Sequence, residues 1–517
     1  MYITPNSKIY VLNNVPLDGT YEHTINFSNA SDQFEYFNSK AKKRFDKCTY
    51  QRAERIARVN ALADDILDCN YIMFQNTAYG DKWFYAFIDS VSYINNNTTG
   101  IEFTIDVMQT WLFDFDIDYC FVDREHVSDD TIGKHILPEN VSLGEYVMNT
   151  YNTILDMTDN VVCIAIVDTT DNADGTLYDG IYGSAQLFVY DSTDTQGINS
   201  KIDEYLQAPD SIISMYMFPK VFINEIPKTH KLGYGKSASK TTVKRGKIEA
   251  GDTIDGYVPK NKKLYTYPYC FYHIDNASGN ELSLRYEFFE DLTPTVEICG
   301  TITQPVQAVL RPCSYKGVKG YDSLGGYTTY NAESLTLSSY PVCSWNMDYY
   351  QAWIAQNSIP LALSTVNNVA SMGLAGMYST SPMAVTGLGI AGQISSVISQ
   401  AYQASISADI SKGSQNNGGV NTANNTQQFY GGRCSITAQY AKMIDDYFTM
   451  YGYSVKRCKK PNITSRKHWN YIKTIGCTLT GSVPYSDMQK IAKIFDNGIT
   501  FWHNPGEIGD YSLDNTI

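Results

Sequence analysis

The chain of 517 residues reads as mainly β with some α, an α+β class. Three observations predict this. Tyrosine is abundant, at 41 residues, and a broad ring with a polar tip suits half-buried pleated strands. Short alternating or β-branched runs recur between Asn/Gly turns. Helical periodicity is confined to a few segments, and no internal repeat is visible. The length allows about two to four domains with a sizeable core. Composition shifts divide the chain into β-rich residues 1–130, a mixed α+β stretch at 131–290 and a β-rich segment at 291–348. An apolar Gly/Ala/Ser-rich loop with a flexible tether follows at 349–432, and order returns over 433–517.

Taken in order, the elements begin with a short helix around Asp32–Lys42. Lys82–Ile94, Asn95–Gly100 and Ile101–Val107 read as strand, turn, strand. Asp114–Tyr119 alternates strictly, which predicts a strand with Asp114, Asp116 and Asp118 on one acidic face. Val161–Val167 is a buried-strand run, and Ser200–Leu206 starts a helix. Leu264–Ile274, Ser283–Phe289 and Thr295–Ile298 read as strands. Past Cys434, helices are expected through Tyr440–Tyr451 and Asp487–Phe495. Asn497-Gly498 then turns into a last strand, Ile499–His503.

The formal net charge of −14 argues against a surface built to grip nucleic acid throughout, though not against one that lets it slide past. Eleven cysteines run from Cys48 to Cys477 with no CxxC pair, so reduced, mostly buried thiols are expected rather than a disulfide framework or zinc ribbon. The first residues, Met-Tyr-Ile-Thr-Pro-Asn, lack the basic and apolar regions of a secretory signal, so assembly in cytosol is expected.

Local motifs carry little chemistry. Gly387-Leu388-Gly389-Ile390-Ala391-Gly392 matches GxGxxG, with Asp409 twenty residues after Gly389. A dinucleotide site needs a second strand before the acid, whereas Gln393–Ile410 reads as one helix. Close helix packing is the better use of these glycines, with Gly373 and Gly376. Gly235-Lys236-Ser237 resembles the end of a P-loop, but His230 stands where the first glycine belongs. Residues 228–247 hold seven positive charges and no acid, a solvated basic loop. Asp171-Asn172-Ala173-Asp174-Gly175 lacks the twelfth-position Glu of a calcium loop and reads as a polar turn. The seven histidines are dispersed, so no metal site and no cofactor is signalled, and no nucleophile–base set is evident. Catalytic residues are therefore assigned to none.

Two features stand out. From Tyr349 to Ala408 there is no charged side chain for 60 residues, in a protein where 18% of residues are charged. Such a stretch belongs inside an assembly, in lipid, or in both in turn. Its first arm, Leu361–Tyr378, presents Leu361, Leu363, Val366, Val369, Met372, Leu374 and Met377. Its second, Met383–Ile410, presents Met383, Val385, Leu388, Ile390, Ile394, Val397 and Ile398, with Ser379-Thr380-Ser381-Pro382 as the tip. The arms, 18 and 28 residues long, are near the roughly 20 residues a helix needs to span a bilayer. Ser395, Ser396, Ser399, Gln400 and Gln403 form a polar but neutral face. The second feature is basic. Lys456, Arg457, Lys459, Lys460, Arg466 and Lys467 fall within twelve residues, flanked by Tyr451, Tyr453, Trp469 and Tyr471. They suit either a DNA-facing patch or a subunit interface that meets a neighbour's acids.

Several blocks together resemble the tail-knob, or distal tail-tube, proteins of phi29-like podophages. They are Phe37-Asn38-Ser39-Lys40, Tyr71-Ile72-Met73-Phe74-Gln75-Asn76, Lys82-Trp83-Phe84-Tyr85-Ala86-Phe87, Ile105-Asp106-Val107-Met108-Gln109-Thr110-Trp111 and Arg124-Glu125-His126-Val127. Near the other end come Tyr451-Gly452-Tyr453, Lys459-Lys460-Pro461-Asn462, Ile494-Phe495-Asp496-Asn497-Gly498-Ile499-Thr500, Trp502-His503 and Ile508-Gly509-Asp510-Tyr511-Ser512. Residues 131–340 match poorly. The resemblance implies β-rich tube domains built from both chain ends, assembled as a homo-hexamer, with no catalysis and no cofactor. It implies partners in the proximal tail tube (lower collar) and the tail-tip protein, a place in the virion tail, and assembly in host cytoplasm. It also implies that the apolar loop waits in the lumen and then enters the host cytoplasmic membrane while genomic DNA passes. Two other readings compete. A host-adsorption or wall-degrading tail protein predicts a cleft with paired acids, and an ordinary helical-hairpin membrane protein predicts basic flanks.

Overall fold

The structure, a computed structural model, describes residues 6–51, 55–77, 80–166, 177–178, 181–182, 186–205, 211–232, 238–277, 279–303, 306–316, 333–337, 340, 342–344 and 428–517. It is mainly β with some helix. Two compact units are present. One is built from Met1–Glu145, Ala250–Thr266 and Thr437–Ile517, the other from Tyr146–Glu249 and Tyr267–Ile436.

The first unit opens with nine strands: β1 (Ser7–Asn13), β2 (His23–Ile25), β3 (Ala41–Gln51), β4 (Ile56–Val59), β5 (Cys69–Asn76), β6 (Trp83–Asn95), β7 (Thr98–Ile105), β8 (Phe115–Ile117) and β9 (Cys120–Glu125). Helices α1 (Ala30–Ser39) and α2 (Val107–Trp111) interrupt them. Its C-terminal part adds α3 (Ala438–Tyr451), β10 (Tyr453–Lys459), β11 (Trp469–Ile475), β12 (Leu479–Gly481), α4 (Tyr485–Asn497) and β13 (Ile499–Trp502).

Strands β1, β3, β4, β7, β6 and β5 close into a barrel, β5 returning to pair with β1. The predicted hairpin is β6–β7, with a tighter turn than expected. Helix α1 ends at Ser39, short of the expected Lys42, because the Lys40 amide turns back to Phe37 O (3.0 Å) and Ala41 already opens β3. The helix buries Gln33 and Phe37, one turn apart. Phe37 then packs with Leu12, Tyr71, Met73, Tyr85 and Phe87 of the barrel. Its ring stacks on Tyr71 with centroids 5.2 Å apart.

A second sheet runs in the order β2-β13-β11-β9-β10, antiparallel except for β2 beside β13. The sheet thus draws strands from both chain ends. Helix α4 packs against β11 and α2. Gly498 ends α4 at φ +97°, where a Cβ would collide with the Tyr471 hydroxyl, so only glycine makes this turn into β13. The expected acidic strand is shorter than Asp114–Tyr119, with only Phe115–Ile117 pairing, to β12.

The second unit holds three larger sheets. In one, Tyr430–Ile436 pairs with Tyr146–Met148 and Cys270–Asp275, and the latter pairs with Glu281–Leu284. In another, Asn160–Ile166 lies between Gln186–Asp191 and Ile212–Pro219. The third orders Thr241–Lys244, Thr295–Gly300, Ala308–Pro312 and Leu335–Leu337. Four expectations change here, the first being the solvated basic loop at 228–247, in which Thr241–Lys244 is a strand paired with Thr295–Ile298. The helix expected from Ser200 spans Thr195–Asp203, capped by Asp194, whose carboxylate accepts from the Gly197 amide (2.9 Å). Strand structure begins at Cys270 rather than Leu264, because Lys262–Tyr265 is a 3-10 turn. Ser283–Phe289 is strand only to Leu284 before the turn Tyr286–Phe288. The two apolar arms with their fourteen named residues and GxGxxG motif, the tether as far as residue 427, Gly235-Lys236-Ser237 and Asp171–Gly175 lie outside the described residues, and order returns with the strand at Tyr430 rather than at 433.

Candidate functional site

The blocks singled out in the sequence converge on two joints of the first unit. At the first, Asp106 caps α2, its Oδ1 accepting from the Gln109 amide (3.1 Å) while Tyr71 Oη donates to Oδ2 (2.8 Å). Burial pushes the Asp106 carboxyl up to about 6. The fully covered Gln109 side chain donates to Thr24 Oγ1 and Ile25 O (2.9 Å each) and accepts from Gln33 Nε2 (3.0 Å). Trp111 Nε1 donates to Asp487 Oδ2 (3.2 Å). Barrel, β2, α1 and α4 are thereby tied through one short segment.

The second joint surrounds β9 and contains several buried charges. Glu125 is fully buried, paired with Lys459 and accepting from the Asn462 amide (3.1 Å). The Tyr471 amide donates to His126 Nδ1 (2.7 Å), so Nε2 carries the proton and donates to Thr449 O (3.0 Å). Burial, with Arg466 nearby, pulls His126 down to about 3, and it stays neutral. Glu139 pairs with both Arg124 and Lys263 and accepts from the Ser454 amide (2.9 Å). Asp445 accepts from Tyr257 Oη (2.7 Å), the Lys260 and Asn261 amides (2.7 and 2.9 Å) and Asn261 Nδ2 (2.8 Å). Asp130 accepts from Tyr453 Oη (2.6 Å) and the Lys262 amide (3.0 Å), and burial raises its carboxyl. At Gly452 (φ +64°) a Cβ would sit 2.1 Å from Glu125 O, so no other residue lets α3 turn this close past β9. Residues 124–139, 257–263 and 445–471 are thus locked together. This arrangement holds a scaffold and presents no nucleophile beside a base.

The structure divides the basic cluster. Lys456, Arg457, Lys460 and Lys467 are exposed. Lys459 is neutralised by Glu125. Arg466 is buried, its Nη1 donating to Asn515 O (3.3 Å), so it does not contribute to a basic surface. Tyr453 and Trp469 are core residues, whereas Tyr451 and Tyr471 stay half-buried with rings 5.1 Å apart. Of the acidic set, Asp114 pairs with Lys82, and Asp116 and Asp118 are exposed. Sequence reasoning missed Glu139, Lys263, Asp130 and Asp445. Asp445 left a readable trace, since it falls on the apolar stripe of α3 between Ala441 and Phe448. Among the described residues no helix is long and apolar enough to cross a membrane, and no group of three or more His, Cys, Asp or Glu is placed to hold a metal.

Comparison with known proteins fits this architecture. Residues 236–516 match the family described as Bacillus phage phi29, tail knob protein gp9, C-terminal domain. Residues 5–116 match the caudoviral major tail protein N-terminus. The chain is 27% identical to the tail knob protein gp9 of Bacillus phage PZA and 26% to that of phi29, with 99% of this chain and 98% of each relative covered. Among solved structures, the bacteriophage C1 tail knob protein, gp12, is similar in fold, with a TM-score of 0.65 at 14% identity over 98% of this chain and 99% of that one. The relatives are tail knob proteins, and a scaffold locked from both chain ends fits a structural component of a short-tailed phage virion. The chain belongs to the phi29 gp9 tail knob protein family, and it is not an enzyme.

Proposed function

We propose that six copies of this chain form the distal tube of the tail, with the first unit in its wall. The apolar stretch that begins at 349 and ends before the strand at Tyr430 plugs the lumen, then enters the host cytoplasmic membrane and opens a channel for genome ejection. The tube assembles in host cytoplasm and joins the proximal tail tube (lower collar) and a tail-tip protein. On this reading residues 1–130, 291–348 and 433–517 serve the tube, and 131–290 is an insertion of which 131–145 and 250–266 fold into the first unit.

One observation carries the proposal: the 60 uncharged residues from Tyr349 to Ala408, in a chain with 18% charged residues. A segment without charge is stored at low cost away from water and crosses into hydrocarbon without a charge to desolvate. The wall-degrading alternative is set aside because the family is structural.

Deleting residues 358–425 tests the reading, since it removes no described element. Six-fold rings should persist in negative stain, while dye leakage from anionic liposomes, triggered by acid, should vanish. Full-length protein that never permeabilises liposomes, or a deletion that leaks equally, defeats the channel.

A further inference from the structure

A cleft of about 450 Å³ opens beside β9, lined by Asp123 and Arg124, by Lys456 of β10 and Lys473 of β11, and by tyrosines of α3 and β11. Its shape follows from two bulges. Arg124 stands opposite both Ser454 and Lys473, and Val122 opposite Arg457 and Thr474. Asp123 is therefore an extra residue in β9, which lets consecutive residues Asp123 and Arg124 both line the cleft, as a regular strand would not. Lys456 lies in the facing bulge of β10 at φ +40°, a strained backbone for a long side chain. Strain of this kind persists where the surroundings hold it, and here it sets a lysine in the cleft wall.

The wall is aromatic and ordered. Tyr447, Tyr451 and Tyr471 touch in sequence, with centroids 5.3 and 5.1 Å apart, and the Arg124 guanidinium lies over Tyr447 at 4.7 Å. The floor is Glu139, held by Arg124 and by Lys263 behind it. Lys456 and Lys473 have no carboxylate partner among the described residues. Among the lining residues, Arg124, Lys456 and Lys473 stand against Asp123 and Glu139, which leaves one positive charge in surplus.

We propose that this cleft is a socket for acidic side chains of a second copy of this chain, two carboxylates seating against Lys456 and Lys473 with the tyrosines closing around their stems. The inference rests on the proposed many-copy tube and names one place where copies meet. Chain charge favours this occupant: at −14, each copy has surplus acid that association must match. Two lysines without a carboxylate partner among the described residues fit a pair of carboxylates and fall short of the row of cations that tracks a nucleic-acid backbone. Tyrosine and arginine around a desolvated centre are also what tight protein contacts use.

The full chain and its Lys456→Glu/Lys473→Glu variant decide the matter. Wild type should form rings, and a carbodiimide should link Lys456 or Lys473 of one copy to an Asp or Glu of another, read by mass spectrometry. The charge-reversed variant should melt like wild type but need about tenfold more protein to assemble, since like charges now face the socket. Wild-type rings with no such crosslink, and a variant that assembles equally well, overturn the socket while leaving the tube intact. So does a variant that assembles normally and loses only DNA binding. Wild type that stays monomeric at every concentration defeats both ideas together.

Discussion

The first joint, or mouth, where α1 and Asp106 meet the barrel, and the β9 joint lie in the same unit and are held by different physics. At the mouth, Phe37, Tyr71, Tyr85 and Phe87 pack ring on ring around Met73, and the ionisable group beside them is Asp106. At the joint, Glu125, Glu139, Asp130, Asp445, Lys263 and Arg466 are all taken out of water, each tied to named partners. Apolar burial is non-directional and forgives a change of shape. A buried charge does not forgive the loss of its partner. The mouth is therefore tolerant and the joint specific, which suits a scaffold whose wall draws on sequence-distant segments.

The largest expected effect breaks that contrast most directly. Glu139→Ala leaves Lys263 and Arg124 facing each other without their shared carboxylate and should cost about 3–5 kcal/mol. Met73→Leu at the mouth should cost under about 1.5 kcal/mol. Urea unfolding of both variants compares them, and equal midpoints would refute the distinction.

Acid should sharpen the same contrast at one group in each region, because Asp106 and His126 respond with opposite sign. Asp106 has a folded pKa of about 6, above its ordinary 3.8. Its neutral form suits the fold, so its contribution is full below about pH 4 and is lost as pH rises through 6. His126 has a folded pKa of about 3, below its ordinary 6.5. Its contribution is full above 6.5 and is lost as pH falls toward 3. Between pH 4 and 6 each contributes a slope of up to about 1.4 kcal/mol per unit, and the two oppose. Asp106→Asn should make the protein more acid-labile over that window, and His126→Gln less so. Melting temperatures from pH 4 to 7 read both tilts, and variants that keep the wild-type slope would rule out this assignment.

The same division explains what the sequence shows and what it hides. Strands β6 and β7, the buried run Asn160–Ile166 and helices α3 and α4 were legible because a period and a turn signal agree locally. Strand β3, Ala-Lys-Lys-Arg-Phe-Asp-Lys-Cys-Thr-Tyr-Gln, carries charge along a barrel exterior and gives no apolar run to find. Leu264 reads as the start of a strand, yet its neighbour Lys263 is drawn into Glu139, 124 residues away, which no local pattern reveals. The basic run at 456–467 was visible as composition. That Arg466 turns inward and Lys459 meets Glu125 depends on pairings more than 40 residues distant. Aromatic blocks such as Tyr71–Asn76 announce themselves, whereas Asp445 is betrayed only by falling among apolar neighbours on α3.

The smallest effect tests whether the mouth is a unit of its own. Asn29 caps α1, its Oδ1 accepting from the Ser31 and Asp32 amides at 2.9 Å each. Asn29→Ala removes both acceptors and should cost about 1 kcal/mol. The helix delivers Phe37 to the barrel and Gln33 to Gln109, so loosening its first turn should speed amide exchange in α1, β5 and β6. Amides of β9 and β11, whose partners belong to the joint, should keep wild-type protection. Exchange that rises equally in both places would mean that Gln109 transmits the disturbance from α1 through β2 to the second sheet, and that mouth and joint open together.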